Sequence, residues 1–217
     1  HSTFEETTYL LWHRRLPTRD ELDAFTKLIQ AEYDLPDHLW DMIERLPKTA
    51  TPMHALRTLA SALALYDEEA DDDSEEANER KALRLLAKIP ALIANFDRHR
   101  KGHPCVRPDA SQTVAESFLT MLNGEKPTEA MARAFDICLI LHAEHGFNAS
   151  TFASMVTIST LSDMYSAITT AIGTLKGPLH GGANEGVMRM LNEIGDISKV
   201  DDWVEQRLAN KDRIMGF

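Results

Sequence analysis

Signals that start and stop helices recur along this whole chain, and no stretch alternates as a strand does. Pro17-Thr18-Arg19-Asp20-Glu21 restarts the chain with Thr18 as N-cap and Glu21 three residues on, a capping box. Thr51-Pro52 places a proline at a first helical position, and Pro127-Thr128-Glu129 is a further restart. Lys101-Gly102-His103-Pro104 and Asn123-Gly124 read as stops. Apolar residues between these signals keep a helical period: Leu22, Phe25, Leu28 and Ile29, then Met53, Leu56, Leu59, Ala60 and Leu63. Phe4, Leu10 and Leu11 lie near such a stripe, with Glu5 and Glu6 in the first turn, where the helix dipole favours acids. No βαβ rhythm, internal repeat or low-complexity linker is present. The expectation is an all-α fold, a multi-helix bundle of roughly ten helices of ordinary length.

Several segments carry sharper expectations. Leu39 to Leu46 is a short helix ended by Pro47, and residues 77–100 form a long one kinked at Pro90. Residues 130–141 are apolar almost all round in their second half, which predicts a central helix with Cys138 a buried thiol. Residues 149–161 and 164–175 are rich in Ala and Ser, which permits close helix–helix approach. The last strong helix is 183–194, followed by a weaker one at 200–208. The acidic run Asp67 to Glu76 reads as a solvated loop. Arg98, Arg100, Lys101 and Arg107 read first as surface and second as a nucleotide-phosphate contact.

A chain of 217 residues, 43% of them hydrophobic, has enough material for one large domain with a substantial core. Its net charge of −11 argues against nucleic acid or an anionic membrane as a partner. Any anionic substrate must then meet local positive groups that reverse the overall field. Cys105 and Cys138 cannot build a disulfide framework, which suits a reducing cytoplasm. No apolar run reaches membrane-spanning length and no signal peptide is visible, so the expectation is a cytoplasmic protein.

The stretch Gly177-Pro178-Leu179-His180-Gly181-Gly182-Ala183-Asn184-Glu185 carries the most chemistry. Pro178 fixes its own φ, and Gly181 and Gly182 are expected to permit positive φ and close approach. His180 is thereby presented between two helices. The helix that follows opens with unpaired N–H groups and partial positive charge, which favours a neutral ring there. A neutral imidazole can donate one hydrogen bond to a carbonyl oxygen that is becoming an enolate. A surface histidine in an ordinary turn is the plain alternative.

A second constellation is His142, His145, Asn148 and Ser150. Three residues of spacing would put the two histidines on one helical face. A zinc pair would need a third protein ligand, and no HExxH pattern exists, so no metal is expected. Satisfied core histidines and recognition of an anion both remain open on the residues alone.

The nine residues around His180 resemble the signature of citrate synthases. The similarity continues through Leu139-Ile140-Leu141-His142-Ala143-Glu144-His145 and Asn148-Ala149-Ser150-Thr151. It also covers Tyr9-Leu10-Leu11-Trp12-His13, Pro52-Met53 and the closing Ile214-Met215-Gly216-Phe217. In effect the whole chain resembles the family, most closely its bacterial members. The resemblance implies the helical large domain over residues 1–217 and condensation of acetyl-CoA with oxaloacetate and water, giving citrate and CoA, the first step of the tricarboxylic acid cycle. Coenzyme A enters as substrate, so no cofactor is implied. His180 would be the catalytic donor to the acetyl carbonyl. His145 would contact oxaloacetate, with His142 in support. Asn148 and Ser150 would orient the His180 ring, and Gly181, Gly182 and Asn184 would shape the hinge and the helix start.

The resemblance also implies a homodimer, with the small-residue helices of 149–175 as candidate interface. Family members continue past Ile-Met-Gly-Phe into Gly-His-Arg, which carries a second catalytic histidine, and the proton-accepting carboxylate lies further on. The expectation is therefore a large-domain fragment, inactive or nearly so alone. A 2-methylcitrate synthase using propionyl-CoA would share the His180 motif. A non-catalytic helical scaffold is the alternative of another class.

Overall fold

The computed structural model describes residues 2–214; the side chains of Ala183 and Asn184 and residues 215–217 lie outside the description. Eleven α-helices and two short 3-10 turns account for the regular structure, with no strand among the described residues.

α1 (Phe4–His13) starts at Thr3, whose hydroxyl accepts the Glu6 N–H at 3.2 Å. Its buried face is not the expected one. Glu5, Thr8 and Tyr9 are buried, while Leu10, Leu11 and Trp12 are exposed. Polar anchors set this orientation. The Glu5 carboxylate accepts the Val114 N–H at 2.9 Å, and the Phe4 N–H donates to Asp136 at 2.8 Å. α2 (Arg19–Ala31) has the capping box intact in both directions. Its buried line runs through Phe25 and Ile29 to Tyr33, which leaves the expected core residue Leu28 exposed at the edge.

α3 (Asp37–Arg45) and α4 (Pro52–Ala62), with the turn Leu63–Tyr66, bury Leu39, Trp40, Ile43, Leu59 and Leu63 in one cluster. Each fully buried side chain of that size contributes about 1.5–3 kcal/mol. The cluster closes on α5 (Glu75–Lys101) through Leu85, Ala91, Leu92 and Phe96. α5 runs through Pro90 as one helix and ends where Gly102 takes φ +81°.

The acidic run departs from a plain solvated loop. Asp67 and Glu69 turn inward onto α5, where Arg84 bonds both and Arg80 bonds Glu69. Lys81 is fully buried, its ammonium donating to the carbonyls of Ala70 and Asp72 at 3.2 and 2.6 Å. A loop with this many acids holds position because α5 presents cations to it at four-residue spacing.

α6 (Val114–Asn123) has a second capping box, Thr113 with Glu116, and ends at Gly124 with φ +83°. Beneath it lies Arg98, read from sequence as surface. It is buried instead, donating to Pro104 O at 2.7 Å and Leu122 O at 3.3 Å. Its cation thus faces the negative end of α6. Arg107 pairs with Asp34 and Asp37 over the Trp40 ring, Arg100 pairs with Asp97, and Lys101 bonds the same carboxylate, so the expected basic cluster is engaged in ion pairs.

α7 (Glu129–His142) is not central. Asp136 is its buried residue, and Met131, Ile137 and Leu141 are exposed. Phe135 stacks on Phe118 at 4.9 Å, so α7 is covered on one side only. Cys138 is consequently exposed rather than buried. α8 (Ala149–Ile158) and α9 (Met164–Leu175) pack against each other, with Thr157 Oγ1 donating to Thr170 Oγ1 at 3.2 Å. Their small residues therefore serve contact within the chain. α10 (Gly182–Ile194), the turn Ile197–Lys199 and α11 (Val200–Ala209) complete the order. No helix among the described residues is long and apolar enough to cross a membrane.

Candidate functional site

The site lies where the C-terminal turn of α9, the start of α8 and the turn before α10 converge. After α9 the Gly177 N–H donates to Thr174 O at 3.0 Å. Gly177 O then accepts from the amides of both His180 and Gly182, at 3.0 and 3.2 Å. This carbonyl, accepting twice, closes a tight turn with Pro178 and Leu179 at its tip and His180 at its inner end. The expected positive φ is absent at Gly181, which lies at φ −65° and ψ −18°. A side chain is excluded there for space: an ideal Cβ would fall 2.4 Å from Leu175 O. At Gly182 it would fall 3.2 Å from Gly177 O. These glycines permit close approach, not an unusual backbone angle.

The His180 ring is half-buried, and its Nε2 lies 2.7 Å from Ser150 Oγ. Ser150 sits in the first turn of α8, and the same Oγ lies 3.1 Å from Ala171 O on α9. One hydroxyl thus links the ring to both helices of the pair. Ser150 beside the ring is what the family resemblance implied; the Ala171 carbonyl carries no side-chain signal that sequence reading could use. Asn148 acts differently from expectation. Its Oδ1 accepts the Thr151 N–H at 3.0 Å, which makes it the N-cap of α8, and it makes no bond to His180 among the described residues. It places Ser150 by starting the helix that carries it. Asn184 lies in the first turn of α10, with its side chain outside the description.

His142 and His145 do not share a helical face. α7 ends at His142, and Gly146 adopts φ +62°, with its N–H donating to the Glu144 carboxylate. The helix has already ended by then, so His145 stands on the connecting loop, exposed. The His142 Nδ1–H donates to Cys138 O at 2.7 Å. His145 makes no side-chain hydrogen bond among the described residues, and it stands three residues before the cap of the helix that carries Ser150. Among the described residues no three of His, Cys, Asp and Glu converge to hold a metal.

The profile of the citrate synthase C-terminal domain matches residues 1–217. The chain belongs to the citrate synthase family. It is 51% identical over 222 residues to a citrate synthase of Haloferax volcanii and 49% identical to citrate synthase 2 of Bacillus subtilis, each match covering 100% of this chain and 58% of the relative. A 2-methylcitrate synthase of Mycobacterium tuberculosis is 44% identical over 99% of this chain. Among solved structures, citrate synthase of Thermoplasma acidophilum, in a ternary complex with carboxymethyl coenzyme A and oxaloacetate, superposes with a TM-score of 0.88 at 35% identity. That match covers 99% of this chain and 56% of the other. The chain thus spans a little over half the length of the citrate synthases it matches.

Proposed function

We propose that a protein carrying these residues at its relatives' full length condenses acetyl-CoA with oxaloacetate and hydrolyses the resulting thioester. The methyl carbon of the acetyl group forms a bond to the ketone carbon of oxaloacetate; water then cleaves the thioester, leaving citrate and CoA. The observation that carries this reading is the 2.7 Å contact between Ser150 Oγ and His180 Nε2. The hydroxyl has one proton. Given to Nε2, it leaves the proton of the neutral ring on Nδ1, aimed away from the helix pair. Nδ1–H can then donate to the acetyl carbonyl oxygen as charge develops there, which is where a fixed donor lowers the barrier. Ala171 O, as a helix carbonyl of α9, has a ladder donor of its own and can do without the hydroxyl.

His145 suits oxaloacetate because its ring is free of other hydrogen bonds among the described residues and can donate to a carboxylate or ketone oxygen. His142, with Nδ1–H given to Cys138 O, presents an acceptor as a neutral ring, so its role is to support the loop. No residue of this chain is assigned to removal of the methyl proton, and the 217-residue chain alone is expected to turn over little or nothing. A homodimer and a cytoplasmic location belong to the same proposal. Exposed Phe152, Met155, Val156 and Ile158 on α8 offer an outward apolar face, and the two free thiols fit a reducing compartment.

The test follows free thiol released from acetyl-CoA in the presence of oxaloacetate. His180→Ala is expected to lower kcat about 10³-fold, the scale of losing one fixed donor to a developing oxyanion. Unchanged turnover would refute the proposal. Propionyl-CoA run in parallel decides the acyl group: faster turnover of it would move the reading to 2-methylcitrate synthesis, a name some 44%-identical relatives carry.

A further inference from the structure

Gly181 rests on a wall built by Leu175. A Cβ at Gly181 would fall 2.4 Å from Leu175 O, 2.6 Å from its Cδ1 and 2.7 Å from its Cγ. The backbone of Gly181 lies at φ −65°, which any residue adopts, so the constraint is purely one of space. Leu175 is the last residue of α9 and lies four residues, one helical turn, beyond Ala171. The last turn of α9 therefore lies against the site at two points: Ala171 O, 3.1 Å from the Ser150 Oγ, and Leu175, against the peptide that follows the ring. Leu175 is 40% exposed, so its side chain flanks the turn without belonging to the core clusters.

We infer that Leu175 is a positioning residue for His180. Its carbonyl and isobutyl group fix how closely the His180–Gly181 peptide approaches α9, and this holds Nε2 at hydrogen-bond distance from Ser150. The inference rests on the reading of His180 as the donor to the forming enolate. It adds a residue that makes no hydrogen bond to the ring.

The test uses a protein of the relatives' full length and four variants: Gly181→Ala, Leu175→Ala, their combination, and Leu175→Met. Gly181→Ala pushes the turn off the wall. A displacement of about 1 Å at a reacting group costs on the order of 10²-fold in rate, so kcat is expected to fall by about that factor. KM for both substrates is expected to stay within about twofold. The double variant removes the Cδ1 and Cγ collisions but keeps the 2.4 Å collision with the Leu175 carbonyl, so its kcat is expected to stay at or below that of Gly181→Ala. Leu175→Met keeps the wall and recovers most of the rate that Leu175→Ala loses. Parental kcat in Gly181→Ala, or parental kcat in Leu175→Ala, overturns the inference. His180→Ala separates the two levels. If it leaves turnover unchanged, the functional reading falls; if it abolishes turnover while Gly181→Ala does not slow it, only the role of Leu175 falls.

Discussion

Ser150→Ala isolates the contact on which the proposed chemistry depends. The substitution removes an Oγ lying 2.7 Å from the ring nitrogen and 3.1 Å from Ala171 O, and it leaves the α8 cap at Asn148 untouched. A hydrogen bond of this kind contributes about 1 kcal/mol net. At about 1.4 kcal/mol per tenfold, that is a factor of roughly five in the preference for one tautomer. Loss of ring orientation adds to it, since misplacement by about 1 Å costs up to about 10²-fold. The combined expectation is a fall in kcat between about 5- and 500-fold. KM for oxaloacetate is expected to stay within about twofold, because Ser150 meets the ring and not the anion. Thermal stability is expected to change by about 1 kcal/mol or less. Steady-state thiol release at saturating substrates, with a melting curve of the same preparation, reads all three. A kcat within about twofold of the parent would refute the reasoning, and so would a loss confined to KM.

Three further outcomes follow from the fold. Thr113→Ala breaks the capping box at α6, where Thr113 accepts the Glu116 N–H at 3.2 Å; a loss of about 1 kcal/mol is expected, or about 2–4 °C in Tm by calorimetry. Glu69 is held down to about 2 by its hydrogen bonds from Arg80 and then Arg84, against an ordinary 4.5. A depressed folded pKa gives stability that is complete above the ordinary value and fades as pH falls from about 4.5 toward 2. Glu69→Gln is therefore expected to flatten the acid limb of a Tm-versus-pH curve in that window, and an unaltered limb would contradict it. Cys138 is exposed, whereas Cys105 is half-buried with its thiol pushed up by burial; native-state alkylation followed by mass spectrometry is expected to label Cys138 first.

The helices were legible because their punctuation is local. Thr18 with Glu21, Pro52, Gly102 and Gly124 act within one turn of themselves, and each ends or begins a helix where the sequence places it. Which face a helix buries was less legible, because distant partners decide it. Glu5 is buried by the amide of Val114, and Leu10 and Leu11 are turned outward as a result. Likewise the apolar second half of α7 implied enclosure, yet among the described residues Ile137 stays 40% and Leu141 71% exposed. Arg98 and Lys81 reversed the usual rule for cations because main-chain carbonyls receive them, and carbonyls carry no residue-type signal.

At the site, the pairing of His180 with Ser150 was implied by the resemblance to citrate synthases and not by spacing or residue type. His142 and His145 share no helical face, because α7 ends at His142 and His145 stands on the loop beyond it. The glycines after His180 were correctly marked as a close approach, but the contact is with Leu175 and the backbone stays helical.

The account's central claim is that Ser150 gives its proton to Nε2 and leaves Nδ1–H to face the substrate. Nitrogen-15 NMR of histidine-labelled protein, with the His180 signals assigned by comparison with His180→Ala, measures this directly. A protonated, pyrrole-type Nδ1 and an unprotonated, pyridine-type Nε2 are expected at neutral pH. The reverse pattern would place the Ser150 proton on Ala171 O and leave Nδ1 only an acceptor, a ring that could not donate to the developing enolate.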